Sequence, residues 1–384
     1  MKRVKEILMF VFISISFFVY GEECTTAVVS GIATKDGAPI LWKNRDTDTL
    51  SNKVILVNER PYSYLALVNA SEISGRIVWA GLNSEGFAII NSVAYNLPQK
   101  SGEKEDLEGL IMADALRKCS TVDDFEKYLR ENLGESLGCR TNFGVIDAYG
   151  GASLFEVHNH GYKRIDARDF PEGYIINTNF SRSGEENRGR GYVRFERASS
   201  LFKEFHPITH EEIIQKIARD LVNPLFGNNK MEKTSWVHTD HTINRYITAS
   251  CVVIHGVKKG GNGRATMWVI LGEPVCSIAV PLWVEAGEPP SPLKEGDTAP
   301  ICVEAFRLKD IIRPFKDVER RQYLDINKLM EWLPIIIKKE KEIIDRTKEF
   351  LAKNPSPSEL SKFESTVAQM VLETLKGIQY PVKY

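Results

Sequence analysis

This 384-residue chain lacks three things, and each lack closes a class of function. None of its six cysteines is spaced as a CxxC pair, which argues against zinc ribbons and thioredoxin-type sites. Neither charge sign is in surplus: 50 Lys and Arg stand against 51 Asp and Glu, for a net charge of −1. A general nucleic-acid binder needs a basic excess somewhere, so no nucleic-acid partner is expected. No uncharged apolar run reaches the roughly 20 residues that a membrane-crossing helix requires. Internal repeats and low-complexity tracts are missing too.

What is present is the composition of a folded chain, 43% apolar and 26% charged. A chain of this length buries a sizeable core without staples. Its first residues are set apart. Lys2, Arg3 and Lys5 make a basic start, Ile7 to Tyr20 is an uncharged run, and Val19-Tyr20-Gly21 offers a cleavage site. That layout predicts a secretory signal peptide over residues 1–21 and an exported protein, periplasmic or extracellular, with no stable membrane insertion once the signal is removed. Glu23, directly before Cys24, argues against a lipid anchor, because a lipoprotein signal wants a small residue there.

Thr25 to Ala33 is rich in β-branched and small residues, Asp36-Gly37 is a hairpin signal, and strand character resumes from Pro39 to Trp42. Further strands are expected at 54–57, 64–68, 77–80, 87–91, 142–147, 154–158, 174–177, 247–255, 265–271 and 276–284. Helical spacing covers 107–118, 121–129, 194–205, 211–221, 326–351 and 359–375, with Pro334 a kink or restart. The order strands, helices, strands, helices, strands suits a layered α/β fold with largely antiparallel sheets. The Pro-rich stretch 288–292 separates a helical tail.

Chemistry concentrates at Cys24. Removing Glu22-Glu23 would leave its thiol beside its own α-amine, whose pKa of about 7.7–8.0 lets it accept a proton near neutrality. One residue then holds both nucleophile and base. The neighbouring motifs are Cys24-Thr25-Thr26, the Asp36-Gly37 turn, and Lys43-Asn44-Arg45-Asp46. Further on come Asn83-Ser84-Glu85-Gly86 with a strand ending in Asn91, the apolar strand ending Asn177-Thr178-Asn179, and Arg194-Phe195-Glu196-Arg197-Ala198. From about Cys24 to Val284 this pattern resembles the N-terminal-nucleophile hydrolases. Within them it resembles the linear amide hydrolases: bile-salt (choloylglycine) hydrolases, penicillin V acylases, acid ceramidase and the penicillin-forming acyltransferases. Lys43 stands where that group carries Arg, with Arg45 as a partial substitute.

The resemblance implies a four-layer α-β-β-α sandwich over residues 24–300, a two-residue propeptide at 22–23, and a C-terminal helical extension over 301–384. It implies that Cys24 is the nucleophile, Asp46 orients the α-amine, Lys43 favours the thiolate, and Asn91 and Asn179 are oxyanion donors. Arg194 lies near the site, with Arg197 as the alternative. The implied reaction is cleavage of a linear amide in a small N-acyl substrate with an apolar acyl group. The aromatic residues Tyr62, Tyr64, Tyr95 and Phe180 lie close in sequence to the site strands. No cofactor or metal is expected. A dipeptidase, an acyltransferase, or a non-enzymatic exported binding protein are the alternatives, and a homo-oligomer is compatible with all of them. His158 with His160, and His238 with His241, read as surface or loop residues, because no third patterned ligand joins either pair. Gly260-Gly261-Asn262-Gly263 reads as a hairpin turn, and Asn69 and Asn179 begin formal glycosylation acceptor triplets.

Overall fold

The computed structural model describes residues 23–72, 74–226 and 235–379. The expected signal peptide (1–21) and Glu22 lie outside the described residues.

Two antiparallel sheets carry the fold. The first contains β1 (Glu23–Val29), β2 (Ile40–Asp46), β10 (Tyr174–Asn177), β12 (Thr248–His255), β13 (Thr266–Leu271) and β14 (Val280–Leu282), in the order β10-β1-β2-β12-β13-β14. The second is a seven-stranded meander in chain order: β3 (Asn52–Val57), β4 (Tyr64–Asn69), β5 (Ala80–Asn83), β6 (Ala88–Val93), β7 (Arg140–Ile146), β8 (Ala152–His158) and β9 (Gly161–Asp166). A small pair, β11 (Trp236–His238) with β15 (Tyr323–Asp325), completes the strands. Neighbouring strands joined by short turns can only pair antiparallel, which is why the hairpin signals carried so much of the topology.

Alternation along the strands builds the layers. On β6, Ile90 belongs to the core shared with the first sheet, while Ile89 faces α1 (Glu108–Lys118) and α2 (Val122–Asn132). Phe125 of α2 sits against Phe143 and Phe155 in edge-on contacts at 5.5 and 5.2 Å. On the far side of the first sheet, Trp42 of β2 stacks on Phe202 of α3 (Tyr192–Glu204), ring centroids 5.8 Å apart. The result is helix, sheet, sheet, helix. Gly144 of β7 lets the sheets close: a Cβ there would meet Val28 Cγ2 at 2.9 Å and Ile90 Cγ1 at 3.0 Å.

α4 (His210–Gln215) and α5 (Ser291–Lys294) are short. They are followed by α6 (Pro300–Ile312), α7 (Ile326–Leu351) and α8 (Pro357–Gly377), whose buried faces belong to the same apolar cluster as β12 and β13. Arg219 forms a fork on Glu340 of α7, at 2.8 and 2.9 Å, and Ala279 N donates to the same carboxylate at 2.9 Å. Glu364 of α8 accepts from Trp283 N at 2.6 Å.

Several local expectations shift. α7 runs through Pro334 without a restart: Pro334 and Met330 both face solvent, so water can take the carbonyl that proline leaves without a helical partner. The strand expected at 77–80 begins at Ala80, the helix expected at 211–221 breaks at Lys216 into a 3-10 turn, and 276–284 holds only the three-residue β14. The strand β9 and the helix α6 were not foreseen. No helix of the described residues is long and apolar enough to cross a membrane.

Candidate active site

Cys24 is the second residue of β1, and its residue is 3% exposed. β1 is an interior strand. On one side Cys24 stands opposite Arg45, Thr25 opposite Asn44 and Thr26 opposite Lys43; on the other side Thr26 stands opposite Asn177. The nucleophile candidate is thus placed by two neighbouring strands, with the loop after β10 delivering Asn179 and α3 delivering Arg194.

Asn179 is fully buried, and its surroundings fix its orientation. Its Oδ1 accepts from Cys24 N at 2.9 Å and from Arg194 Nη2 at 3.0 Å, while its Nδ2 donates to Val93 O at 3.0 Å. Flipping the amide would set its NH₂ against two donors, so the network decides which end is which. Its backbone carbonyl accepts from Tyr95 N and Arg190 N. This burial excludes Asn179 as a glycosylation acceptor. Asn91 is also buried, and Lys43 Nζ donates to its Oδ1 at 2.6 Å and to Trp79 O at 2.9 Å. Lys43 therefore reaches the site through Asn91, leaving the Nδ2 end as the donor face of that amide.

Around the start of β1 lies a buried charge cluster. Arg194, itself 1% exposed, donates to Cys24 O at 2.7 Å, Thr25 Oγ1 at 2.9 Å and Glu23 Oε2 at 2.8 Å. Arg245 donates to the same Glu23 oxygen at 2.7 Å, to Asp240 at 2.9 Å and to Asp46 at 3.3 Å. Asp46 also accepts from Thr248 Oγ1 at 2.7 Å, and Arg194 Nη1 lies 4.0 Å from it. Burial pushes the Asp46 carboxyl up despite the two arginines. At Glu23 burial acts the same way, but Arg194 and Arg245 outweigh it and hold the carboxyl below its usual range. Arg245 is held protonated: burial opposes its charge, and Asp46, Glu23 and Asp240 together overcome that.

Cys24, Lys43, Asp46, Asn91, Asn179 and Arg194 are therefore brought together around one strand end. Arg197 is not; it pairs with Asp220 at 2.6–2.9 Å. Arg45 does not stand in for Lys43: it bonds Asn52 and Asn69 and lies 4.4 Å over Trp79. Of the four aromatics, Tyr64 is buried in the core with its hydroxyl on Gly75 O. Tyr95 lies beneath Arg190 at 4.4 Å, and Phe180 stacks on Tyr192 at 4.6 Å. His160 pairs with Glu103 away from the cluster. No group of three or more metal-ligating side chains occurs among the described residues.

Arg245, Thr248 and Glu23 are the members that sequence reasoning missed. Arg245 sits alone in the run Asn244-Arg245-Tyr246 before β12, with no spacing to mark it. The one available signal was its position: β12 pairs with β2 so that Thr248 faces Asp46, and a residue just before β12 must lie at that end of the sheet.

The family model for acyl-coenzyme A:6-aminopenicillanic acid acyl-transferase matches residues 32–254. That span holds every member of the cluster except Glu23 and Cys24. No curated protein matches the chain. Among solved structures the chain is similar to the Caenorhabditis elegans ortholog of N-acylethanolamine-hydrolyzing acid amidase, at 13% identity and a TM-score of 0.42, over 60% of this chain and 92% of that one. It is also similar to a variant of the conjugated bile acid hydrolase from Clostridium perfringens, at 13% identity and 0.40, over 64% and 89%. A third is penicillin V acylase from Agrobacterium tumefaciens, at 13% and 0.38, over 65% and 83%.

Proposed function

The chain belongs to the acyl-coenzyme A:6-aminopenicillanic acid acyl-transferase family, within the N-terminal-nucleophile linear-amide group, and from that premise we propose that it is an exported cysteine enzyme that cleaves the amide of a small N-acyl substrate. The observation that carries the reading is the convergence of Asn179 and Arg194 on Cys24, with Lys43 holding Asn91 and Asp46 in the charge cluster at the same strand.

In the mature enzyme the α-amine of Cys24 takes the thiol proton as Sγ adds to the substrate carbonyl. The negative charge passes to the carbonyl oxygen, where the Asn91 NH₂ and the Asn179 N–H not given to Val93 O stabilise it. The tetrahedral adduct expels the amine, which receives the proton held by the α-amine, and a thioester remains on Cys24. Water, deprotonated by the same amine, adds to the thioester and releases the acid. An amine acceptor in place of water makes the same intermediate a transferase, the reading that the family description favours.

Maturation uses the same nucleophile and the same oxyanion donors, but not the α-amine, which is the nitrogen of the Glu23–Cys24 amide until that bond breaks. Sγ adds to the Glu23 carbonyl, the Glu23–Cys24 C–N bond breaks with the proton passing to the nascent amine, and water hydrolyses the thioester. Cys24→Ala tests this in a secreting host. The wild type is expected to yield a chain whose mass begins at Cys24, and the variant a chain that keeps Glu22-Glu23 and cleaves no amide. A variant trimmed as completely as the wild type would show that another protease does the work.

A further inference from the structure

The Glu23 carboxylate is the best-bound anion in the cluster, and it belongs to a residue expected to leave. Two buried guanidiniums, whose side chains are 2% and 3% exposed, aim Arg194 Nη2 and Arg245 Nη1 at the single oxygen Oε2, at 2.8 and 2.7 Å. Arg190 stands at the rim, 4.0 Å from Oε1. Neither inner arginine depends on Glu23 for its position. Arg194 is also tied to Cys24 O, Thr25 Oγ1 and Asn179 Oδ1, and Arg245 to Asp240 and Asp46. When Glu23 departs, two arginines that shared three carboxylates share two, and two converging N–H donors lose their acceptor. Charged donors buried in this way hold an anion far better than they hold nothing.

We infer that Arg194 and Arg245 form a carboxylate subsite that Glu23 fills in the precursor and that a substrate carboxylate fills in the mature enzyme. This rests on the amide-hydrolase reading and names its substrate class. The length of the acyl group follows from covalent structure. In Glu23 the carboxylate carbon lies four bonds from the backbone carbonyl carbon that Cys24 attacks during maturation. The thioester formed then is a glutamyl acyl-enzyme with its side chain already seated. Any acyl group with a carboxylate at the same remove reaches the same donors from the same sulfur: a five-carbon diacid monoamide, whether glutaryl or glutamyl. The Glu23 side chain leaves β1 on the α3 side, opposite to the neighbouring Cys24 side chain. Once Glu23 is gone the strand ends at Cys24, so an acyl chain can pass around that end.

The test uses mature protein, confirmed by mass to begin at Cys24, with the p-nitroanilides of succinate, glutarate, adipate and the neutral five-carbon valerate. The expected result is a kcat/KM that peaks at glutaryl and exceeds valeryl by at least tenfold. In Arg194→Gln and Arg245→Gln that ratio should fall towards one, with calorimetric binding of free glutarate weakened at least tenfold and binding of valerate unchanged. Equal turnover of glutaryl and valeryl anilides overturns the subsite, as does a ratio that survives both substitutions. If both variants misfold, the chain-length series in the wild type decides alone. Cleavage of valeryl anilide without glutarate binding sinks the subsite and leaves the hydrolase reading intact. Arginine-dependent glutarate binding with no anilide cleaved does the reverse.

Discussion

Buried arginine–carboxylate pairs recur among the described residues, and two of them, in different regions, differ in what would happen if a partner left. Where α7 meets the core, Arg219 grips Glu340 and also donates to Pro274 O and Ser277 O, while Glu340 accepts from Ala279 N. Every partner is an internal part of the chain. At the start of β1, Arg194 and Arg245 grip Glu23, one peptide bond from the proposed nucleophile. A buried ion pair is thus weak guidance to function by itself. What separates the two regions is a reactive side chain next door and a partner on a segment expected to be cut away.

Removing one member of each group should sharpen the contrast. Arg219→Ala leaves Glu340 buried without its charge partner, so it should cost about 3–5 kcal/mol of stability in denaturant titration. Among molecules that remain folded, the Cys24 thiol should react with an alkylator as in the wild type; equal stability of variant and wild type would break the comparison. Asn179→Ala should act in the opposite sense, lowering kcat by about 10²–10³, or about 2.7–4 kcal/mol, with little change in KM. The donor works on charge that exists only in the transition state. A folded variant with unchanged kcat would reduce Asn179 to a strand-end residue.

The smallest effect is expected at Glu364. Burial raises its carboxyl to about 9, against the bond from Trp283 N that works to lower it. The folded state therefore keeps a proton that the unfolded chain releases above its usual value of 4.5. The stability this proton provides is fully present below about pH 4.5 and drains away as pH rises towards 9. Glu364→Gln keeps the acceptor oxygen without the titration. It should gain about 1–2 kcal/mol over the wild type at about pH 5.5, one unit above the unfolded value, and little at pH 4, read from melting curves at both pH values. Parallel pH profiles would argue against the buried neutral acid.

The parts of the molecule legible in the sequence were those governed by local rules. β-branched runs bounded by turns gave β1, β2, β4, β6 and β12, and helical spacing from 121 gave α2, whose start the structure closes with a Thr121–Asp124 capping box. β9 was illegible because it is an edge strand carrying Lys163, Arg164 and Asp166, whose alternation resembles a solvated loop. α6 was illegible because Pro300 at its first turn reads as a break unless the missing N–H is seen to be surplus at a helix start. The site divided in the same way. Cys24 and Asn179 stand near strand ends inside motifs; Asn91 lies in a motif too, though β6 runs two residues past it to Val93 where a strand end was expected. Arg245 lies in an unpatterned loop, and only the register of β12 on β2 brings it to Asp46. Glu23 was read as residue to be discarded, because its sequence position says nothing of the two arginines waiting for it.

A chain terminus ordinarily frays, since nothing beyond it holds its last residues in place. The terminus that maturation would create here differs, because β1 is bonded to β2 on one side and β10 on the other, and Cys24 begins inside the ladder. Its first residue would be held by the β2 ladder on one side and by Asn179 Oδ1 on the other, with the β10 ladder starting two residues on. The proton acceptor would need no conformational search before it works, and amides only a few residues from the new end, such as that of Val28, should exchange with deuterated solvent as slowly as those of β12.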